Sequence, residues 1–315
     1  MARINLDMDI LRTLVMAERL GGFNRAADQV GRSHSAVSQQ IRRLEERVGE
    51  TLYRKNGRGL ALTEAGDALL AYARRILELN DEAVAAIRGV AVAGTVRFGL
   101  PNDLAESWLS PTLGRFKRAH PAVLIEATVE RNALLLQQLD KGSLDLTLAF
   151  GGETRSDAMR LATLPMTWIG PSAGDRRTVP DAPLPLVMYG PPCFFRQAGI
   201  DALDHAGIPW RTAFTSPSLQ GLWAAVDAGL GVTLRTAIGL PASLAVLDER
   251  SGLPAVPTIA LCLHDAGRAL TPATARLRDI LIGTLVQNLA AIPGAEIAAA
   301  ARDAAAAGLG AATRP

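Results

Sequence analysis

The feature that most constrains this chain is a pair of short helical segments separated by a tight glycine turn. Asn24 is a fitting N-cap for a helix over 25–30, in which Ala26, Ala27 and Val30 face inward, and Gly31 stops it. Ser33 caps the next helix, 34–48, where Val37, Ile41, Leu44 and Val48 recur at helical spacing as a buried stripe. The small alanines of the first segment allow the close crossing of a helix-turn-helix. The outward side of the second then carries Ser35, Ser38 and Gln39 early and Arg42 and Arg43 later, which suits a helix laid in a DNA major groove. A merely solvated helix has no need of Ser and Gln on its exposed first turns.

The surroundings extend the motif. Leu6, Ile10, Leu14 and Ala17 give a preceding amphipathic helix that Gly21-Gly22 ends. After the pair, 52–53 and 60–62 read as two short strands around Asn56-Gly57, a strong hairpin signal. Arg54, Lys55 and Arg58 crowd its tip, as expected of a wing that meets phosphates. The basic residues Arg32, Arg42, Arg43, Arg47, Arg54, Lys55 and Arg58 face only Glu45, Glu46 and Glu50, although the whole chain has a net charge of just +2. That concentration marks a local polyanion site.

Thr63 and Glu64 open a further helix reaching about residue 88, close to 37 Å at roughly 1.5 Å per residue. Leu69, Ala73, Ile76, Asn80, Ala83 and Ile87 are spaced alternately by four and three, which predicts a heptad seam for dimerisation, with Asn80 a register-setting polar position.

The stretch GGFNRAADQVGRSHSAVSQQIRRLEERVGETLYRKNGRGLALTEAG resembles the DNA-binding region of LysR-type transcriptional regulators, and the likeness runs without a gap from about residue 6 to 88. INLDMDILRT, AYARRILELNDEA, GIPWR and AAVDAGLGVTLRT look most like the LrhA-like branch of that family. His34 stands where many members carry Thr or Gln. The resemblance implies a multi-domain α+β chain. A winged helix-turn-helix would span 1–64, a linker or dimerisation helix 65–88, a hinge 89–94 and an effector-binding domain 95–292. Of that domain, 95–165 and 268–292 would form lobe I and 166–267 lobe II, as in type 2 periplasmic-binding-protein-like folds.

The residues themselves agree as far as they go. At 315 residues and 49% hydrophobic, the chain can build two full domains. Beyond Gly94, strand and helix signals alternate, which predicts a largely parallel sheet covered on both faces. Ligands of such sheets bind beyond the carboxyl ends of the strands. The loops there supply Asn102, Asp103, Phe150, Gly151, Cys193, Phe194, Arg196, Thr215, Ser216, Ser218, Arg235 and Thr236 as candidate effector contacts. A cation, hydroxyls and helix N-termini suggest an organic anion. The alanine-rich 293–315 is expected to be a flexible tail.

Expected partners are double-stranded promoter DNA, a small-molecule effector, a second copy in a homodimer or homotetramer, and RNA polymerase. No cofactor, metal or membrane is expected. Apolar runs fall short of a span, no signal peptide is visible, and two cysteines fit a reducing cytoplasm. Neither HExxH, GxSxG, P-loop nor CxxC occurs, so no enzyme is expected. Three alternatives stay open. One is a redox regulator acting through Cys193, which sits before a helix near Arg196, with Cys262 as its second thiol. Another is a small-molecule binder with an incidental helical domain. The third, a sequence-independent DNA-compacting protein, is disfavoured by the near-neutral charge.

Overall fold

The computed structural model describes residues 4–19, 22–23, 27, 33–56, 59–87, 92–172, 182–267 and 269–311. Of the helix expected over 25–30 only Ala27 lies among them, and it is buried; Asn24, Arg32 and Arg58 lie outside the described residues. The chain divides into two units, 1–90 and 91–315.

In the first unit, α1 (Met8–Arg19) and α2 (His34–Val48) precede a hairpin of β1 (Tyr53–Asn56) and β2 (Gly59–Leu62) and a long helix, α3 (Glu64–Ile87). Ser33 caps α2 by accepting from the Ala36 N–H at 3.3 Å, and Gly49 ends it in the left-handed region with φ 79°. Such an end suits glycine, which has no Cβ to clash. The two strands pair antiparallel with Asn56 opposite Gly59, so the expected hairpin forms, but Asn56 is its last strand residue and not part of an Asn-Gly turn. Glu45 of α2 accepts from the Leu52 and Tyr53 N–H groups at 2.8 and 3.2 Å, tying hairpin to helix. Leu11, Leu14, Ile41, Leu44, Leu52, Leu70, Ala73 and Leu77 form the core. Thr63 caps α3 by accepting from the Gly66 N–H at 3.1 Å, and its own hydroxyl donates to the Thr51 carbonyl at 2.6 Å. A Cβ on Gly66 would lie 2.2 Å from the Leu52 carbonyl oxygen, so only glycine fits there.

The second unit contains two lobes. Lobe I is built on β3 (Gly94–Leu100), β4 (Val123–Val129), β5 (Leu146–Phe150) and β6 (Ala158–Pro165), joined by α4 (Asn102–Ala119) and α5 (Asn132–Asp140). The chain then enters lobe II with β7 (Thr167–Pro171), β8 (Leu184–Met188), α6 (Phe194–His205), β9 (Trp210–Thr215), α7 (Leu219–Asp227), β10 (Thr233–Arg235) and β11 (Leu244–Val246). It returns with β12 (Thr258–Asp265), α8 (Pro272–Leu289), β13 (Glu296–Ile297) and α9 (Ala299–Ala311). Lobe I holds a six-stranded sheet in the order β13-β6-β12-β5-β3-β4. Lobe II holds β10-β7-β11 and a parallel β8-β9 pair.

Three expectations are corrected. The lobe I sheet is mixed: β3 is parallel to β4 and β5, but β12 runs antiparallel to both β5 and β6. That pairing puts 258–265 in lobe I, so the return from lobe II comes earlier than residue 267. The stretch 293–315 is also no mere tail. β13 extends the sheet edge beside β6, and Ala301 and Ala305 of α9 are buried in the main core. Alanine leaves little side-chain bulk between a helix and what it packs on, so an alanine-rich sequence without long apolar residues still docks. No helix among the described residues is long and apolar enough to cross a membrane.

Candidate functional site

The first candidate surface is the outer side of α2. Val37, Ile41 and Leu44 point into the core, which turns His34, Ser35, Gln39, Arg42 and Arg43 to solvent, with Ser38 half-buried. Arg54 and Lys55 on β1 are exposed as well. Arg42, Arg43, Arg54 and Lys55 have no ion pair among the described residues, and Glu45, the acid nearest the hairpin, is engaged by backbone. The surface therefore presents uncompensated positive charge beside short hydrogen-bonding side chains.

The predicted dimer seam on α3 is only partly available. Ala73 is 0% exposed, and Leu69 and Ile76 pack against the cluster that contains Leu11 and Leu14. The heptad spacing reported a real apolar stripe, but α1 of the same chain covers that part of it. Asn80 is half-buried, Ala83 exposed, and nothing is described of the Ile87 side chain. Among the described side chains, the large apolar ones that α3 leaves open are Tyr72 and Leu79, at 61% and 65% exposed.

The second candidate site is a cavity of about 320 Å³ within the second unit. Its floor joins the two lobes. Asp103, on the first turn of α4, and Arg235, at the end of β10, are both 2% exposed and paired with each other. The Arg235 Nε donates to Asp103 Oδ1 at 3.0 Å, and Nη2 donates to both carboxylate oxygens. Burial alone would lower the Arg235 pKa, but the Asp103 charge and hydrogen bonds hold it above its ordinary value. The guanidinium carbon lies 4.2 Å from the Phe195 ring centre and 4.8 Å from that of Tyr189, within cation–π range. Phe150 meets Phe195 edge-to-face at 5.3 Å. Tyr189 is 5% exposed and its hydroxyl has no hydrogen-bond partner. Burial raises its pKa, against the opposing pull of Arg235.

Of the predicted effector contacts, the cavity gathers Asn102, Asp103, Phe150, Gly151, Cys193, Phe194 and Arg235. Asp103 and Arg235 do so as partners of one another, which the sequence reading missed. Five others are not in its wall. Arg196 donates to the Tyr189 carbonyl at 3.4 Å; Thr215 is exposed at the end of β9. Ser216 accepts from the Ser218 N–H at 3.1 Å, Ser218 caps α7 through the Gly221 N–H, and Thr236 is buried. The Ser216 and Ser218 hydroxyls serve a turn and a cap. The cavity wall also includes Glu130, Arg131, Asn132, Leu136, Tyr189 and Phe195. The first three follow β4 and Tyr189 follows β8, so the strand-end rule applied to those loops would have found them. Asn132 is engaged at both ends of its amide, donating to the Phe150 carbonyl at 3.0 Å and accepting from its N–H at 3.2 Å.

The two thiols do not make a redox pair on this showing. Cys193 is half-buried before α6 in lobe II, whereas Cys262 is fully buried on β12 in lobe I, with its pKa pushed up to about 11 by burial. A thiol held protonated is a poor nucleophile. Beside β12, Arg155 donates to both Asp157 and Asp140, and the buried His264 meets Asp157 at 3.1 Å.

Comparison with known proteins bears on both surfaces. A family model described as bacterial regulatory helix-turn-helix protein, lysR family, matches residues 8–67, and one described as LysR substrate binding domain matches 90–286. The chain is 36% identical over 264 residues to the HTH-type transcriptional regulator DgdR of Burkholderia cepacia, covering 82% of this chain and 87% of that protein. It is 37% identical over 254 residues to the HTH-type transcriptional regulator PecT of Dickeya dadantii, covering 81% of this chain and 80% of that one. Among solved structures, Vibrio fischeri DarR, crystallised with DNA, superposes with a TM-score of 0.50 at 17% identity, covering 88% of this chain and 98% of that one.

Proposed function

The chain belongs to the LysR family of transcriptional regulators, and from that premise we propose how its two units divide the work. It is a DNA-binding regulator with an effector-binding domain, and its family and relatives are regulators, not enzymes. The outer side of α2 lies in the major groove of promoter DNA. Ser35, Ser38, Gln39 and Arg42, with His34, read base edges, while Arg43, Arg54 and Lys55 meet phosphates. Asn24, Arg32 and Arg58, outside the described residues, are assigned to DNA contact from the sequence alone. The observation that carries this reading is the unpaired, solvent-facing cationic side of α2 beside a basic hairpin.

The cleft over Asp103 and Arg235 holds the small-molecule effector, and because both lobes line it, occupancy alters their spacing. The effector must bind the DNA-bound and free forms with different affinity, or nothing is regulated. Two copies pair along α3, through the face of Tyr72, Leu79 and Ala83 rather than the covered side around Ala73, and dimers associate further into tetramers. RNA polymerase is engaged from the DNA-bound state, in the cytoplasm, with the protein held on the nucleoid by its DNA contacts. The stretches GIPWR and AAVDAGLGVTLRT support membership of the LrhA-like branch. Peroxide sensing is the weaker reading, given the burial of Cys262.

Genome-wide footprinting with the purified full-length protein tests the assignment. Expected are discrete protected sites with two half-sites one helical turn or a multiple apart. Equal occupancy of all duplexes would remove the claim of sequence-specific readout.

A further inference from the structure

We infer that the cleft takes an uncharged, largely apolar molecule bearing one hydrogen-bonding group, and not the organic anion that its arginine suggests. This rests on the cleft being the effector site, as proposed above. The buried cation of the wall already has its own counter-ion. Asp103 takes the Nε and Nη2 donors of Arg235, and the rings of Phe195 and Tyr189 lie against its guanidinium. An incoming carboxylate would have to displace Asp103, itself 2% exposed, or share the site with it. Around the rest of the wall, Glu130 and Arg131 are opposite in sign, so two carboxylates balance two guanidiniums and the cleft carries no net charge.

The remaining wall is largely apolar, with Phe150, Tyr189, Phe194, Phe195, Leu136 and Pro101 around the amides of Asn102 and Asn132. Desolvating a charged ligand there without a partner is costly, whereas an aromatic or aliphatic body is welcome. Asn132, the obvious polar reader, is consumed by the Phe150 backbone. Beside Asn102, the wall includes Tyr189, whose hydroxyl is buried without a hydrogen-bond partner among the described residues. A buried polar group without a partner is rare enough to require an explanation, and a ligand hydroxyl or carbonyl provides it. The volume of about 320 Å³ stands at the small end of ligand sites, which suits a molecule of one or two rings.

The test is titration calorimetry of the full-length protein at near-neutral pH with three probes of one shape: phenylpropanol, phenylpropanoate and propylbenzene. Phenylpropanol should bind about tenfold or more tightly than phenylpropanoate, because the anion must lose its hydration in a wall whose charges already balance. Tyr189→Phe should weaken phenylpropanol by about threefold to tenfold, the worth of one neutral hydrogen bond, and leave propylbenzene unchanged. Asp103→Asn frees Arg235 and should narrow or reverse the preference for the alcohol; if that variant does not fold, the other two comparisons still decide. Tighter or equal binding of phenylpropanoate, no binding of any probe, or indifference of phenylpropanol to Tyr189→Phe overturns the inference. Leu136→Trp, which fills the cavity, separates the two levels. Anion-preferring binding that this variant abolishes sinks only the neutral-ligand claim. Binding that it does not touch places the effector elsewhere and sinks the cleft assignment too.

Discussion

Arginine has opposite fates in the two units. On α2, Arg42 and Arg43 stand exposed and without an ion pair among the described residues, so their charge is held for an outside partner. In the cleft, Arg235 is sealed under aromatic rings with its own counter-ion. The difference teaches that a site for a polyanion keeps its cations wet and unpaired, because the reward comes from releasing counterions on contact. A buried cation must be neutralised at once, since burial without a partner costs several kcal/mol. The arginine in a cleft wall therefore says little about ligand charge until its partner is known.

The largest effect should come from breaking the internal pair. Asp103→Ala leaves Arg235 buried and uncompensated and should lower the urea-unfolding stability of the second unit by about 3–5 kcal/mol. The double variant Asp103→Leu/Arg235→Met should regain most of it. A loss near zero for Asp103→Ala would mean that the pair is wet, and the contrast between the two arginines would collapse.

Arg42→Ala should leave unfolding unchanged but cost about 1–3 kcal/mol of promoter affinity at a single site, measured by anisotropy. Arg43→Ala should instead weaken all duplexes alike and flatten the salt dependence, by about one unit of slope. Identical behaviour of the two variants would blur the division between readers and phosphate contacts.

Ser33→Ala removes the cap of α2 and should cost about 1 kcal/mol in the DNA-binding unit. The transition of the cleft unit should not move; an equal shift in both would deny that the two faces are separately stabilised.

The smallest effect is one of shape. The hydrogen bond from Arg155, followed by that from His264, holds the Asp157 pKa down from 3.8 to about 2, against the opposing effect of burial. Because the folded value lies below the unfolded one, this carboxylate stabilises the fold above about pH 4. The contribution is lost as pH falls towards 2. Asp157→Asn should flatten the acid limb of the stability profile in that window and leave promoter binding at neutral pH alone. An unchanged limb would show that the network does not hold the proton off.

How much of this could be read from residues alone differs between the units for the same reason. The spacing of Val37, Ile41 and Leu44, the cap at Ser33 and the Asn-Gly pair are local signals, and each predicts its own element; the helix 34–48 is found at those bounds. The cleft depends on contacts distant in sequence. Asp103 and Arg235 are 132 positions apart, and their residue types alone do not reveal that they neutralise each other. The α3 seam fails in the same way, because periodicity names an apolar stripe and not what covers it. The lobe of β12 is illegible for the same reason, since nothing in Ile259 to Leu263 says which sheet receives it.

The start of α3 has a mechanical consequence. Gly66 presses on the Leu52 carbonyl, the Thr63 N–H donates to that same oxygen at 2.9 Å, and the Thr63 hydroxyl reaches Thr51. The long helix is thereby clamped to the base of the hairpin by backbone contact at Leu52. In the dimer proposed above, torque along the rod would reach the basic hairpin with little slack, so a change in how two rods cross would reset the angle at which each hairpin meets its duplex.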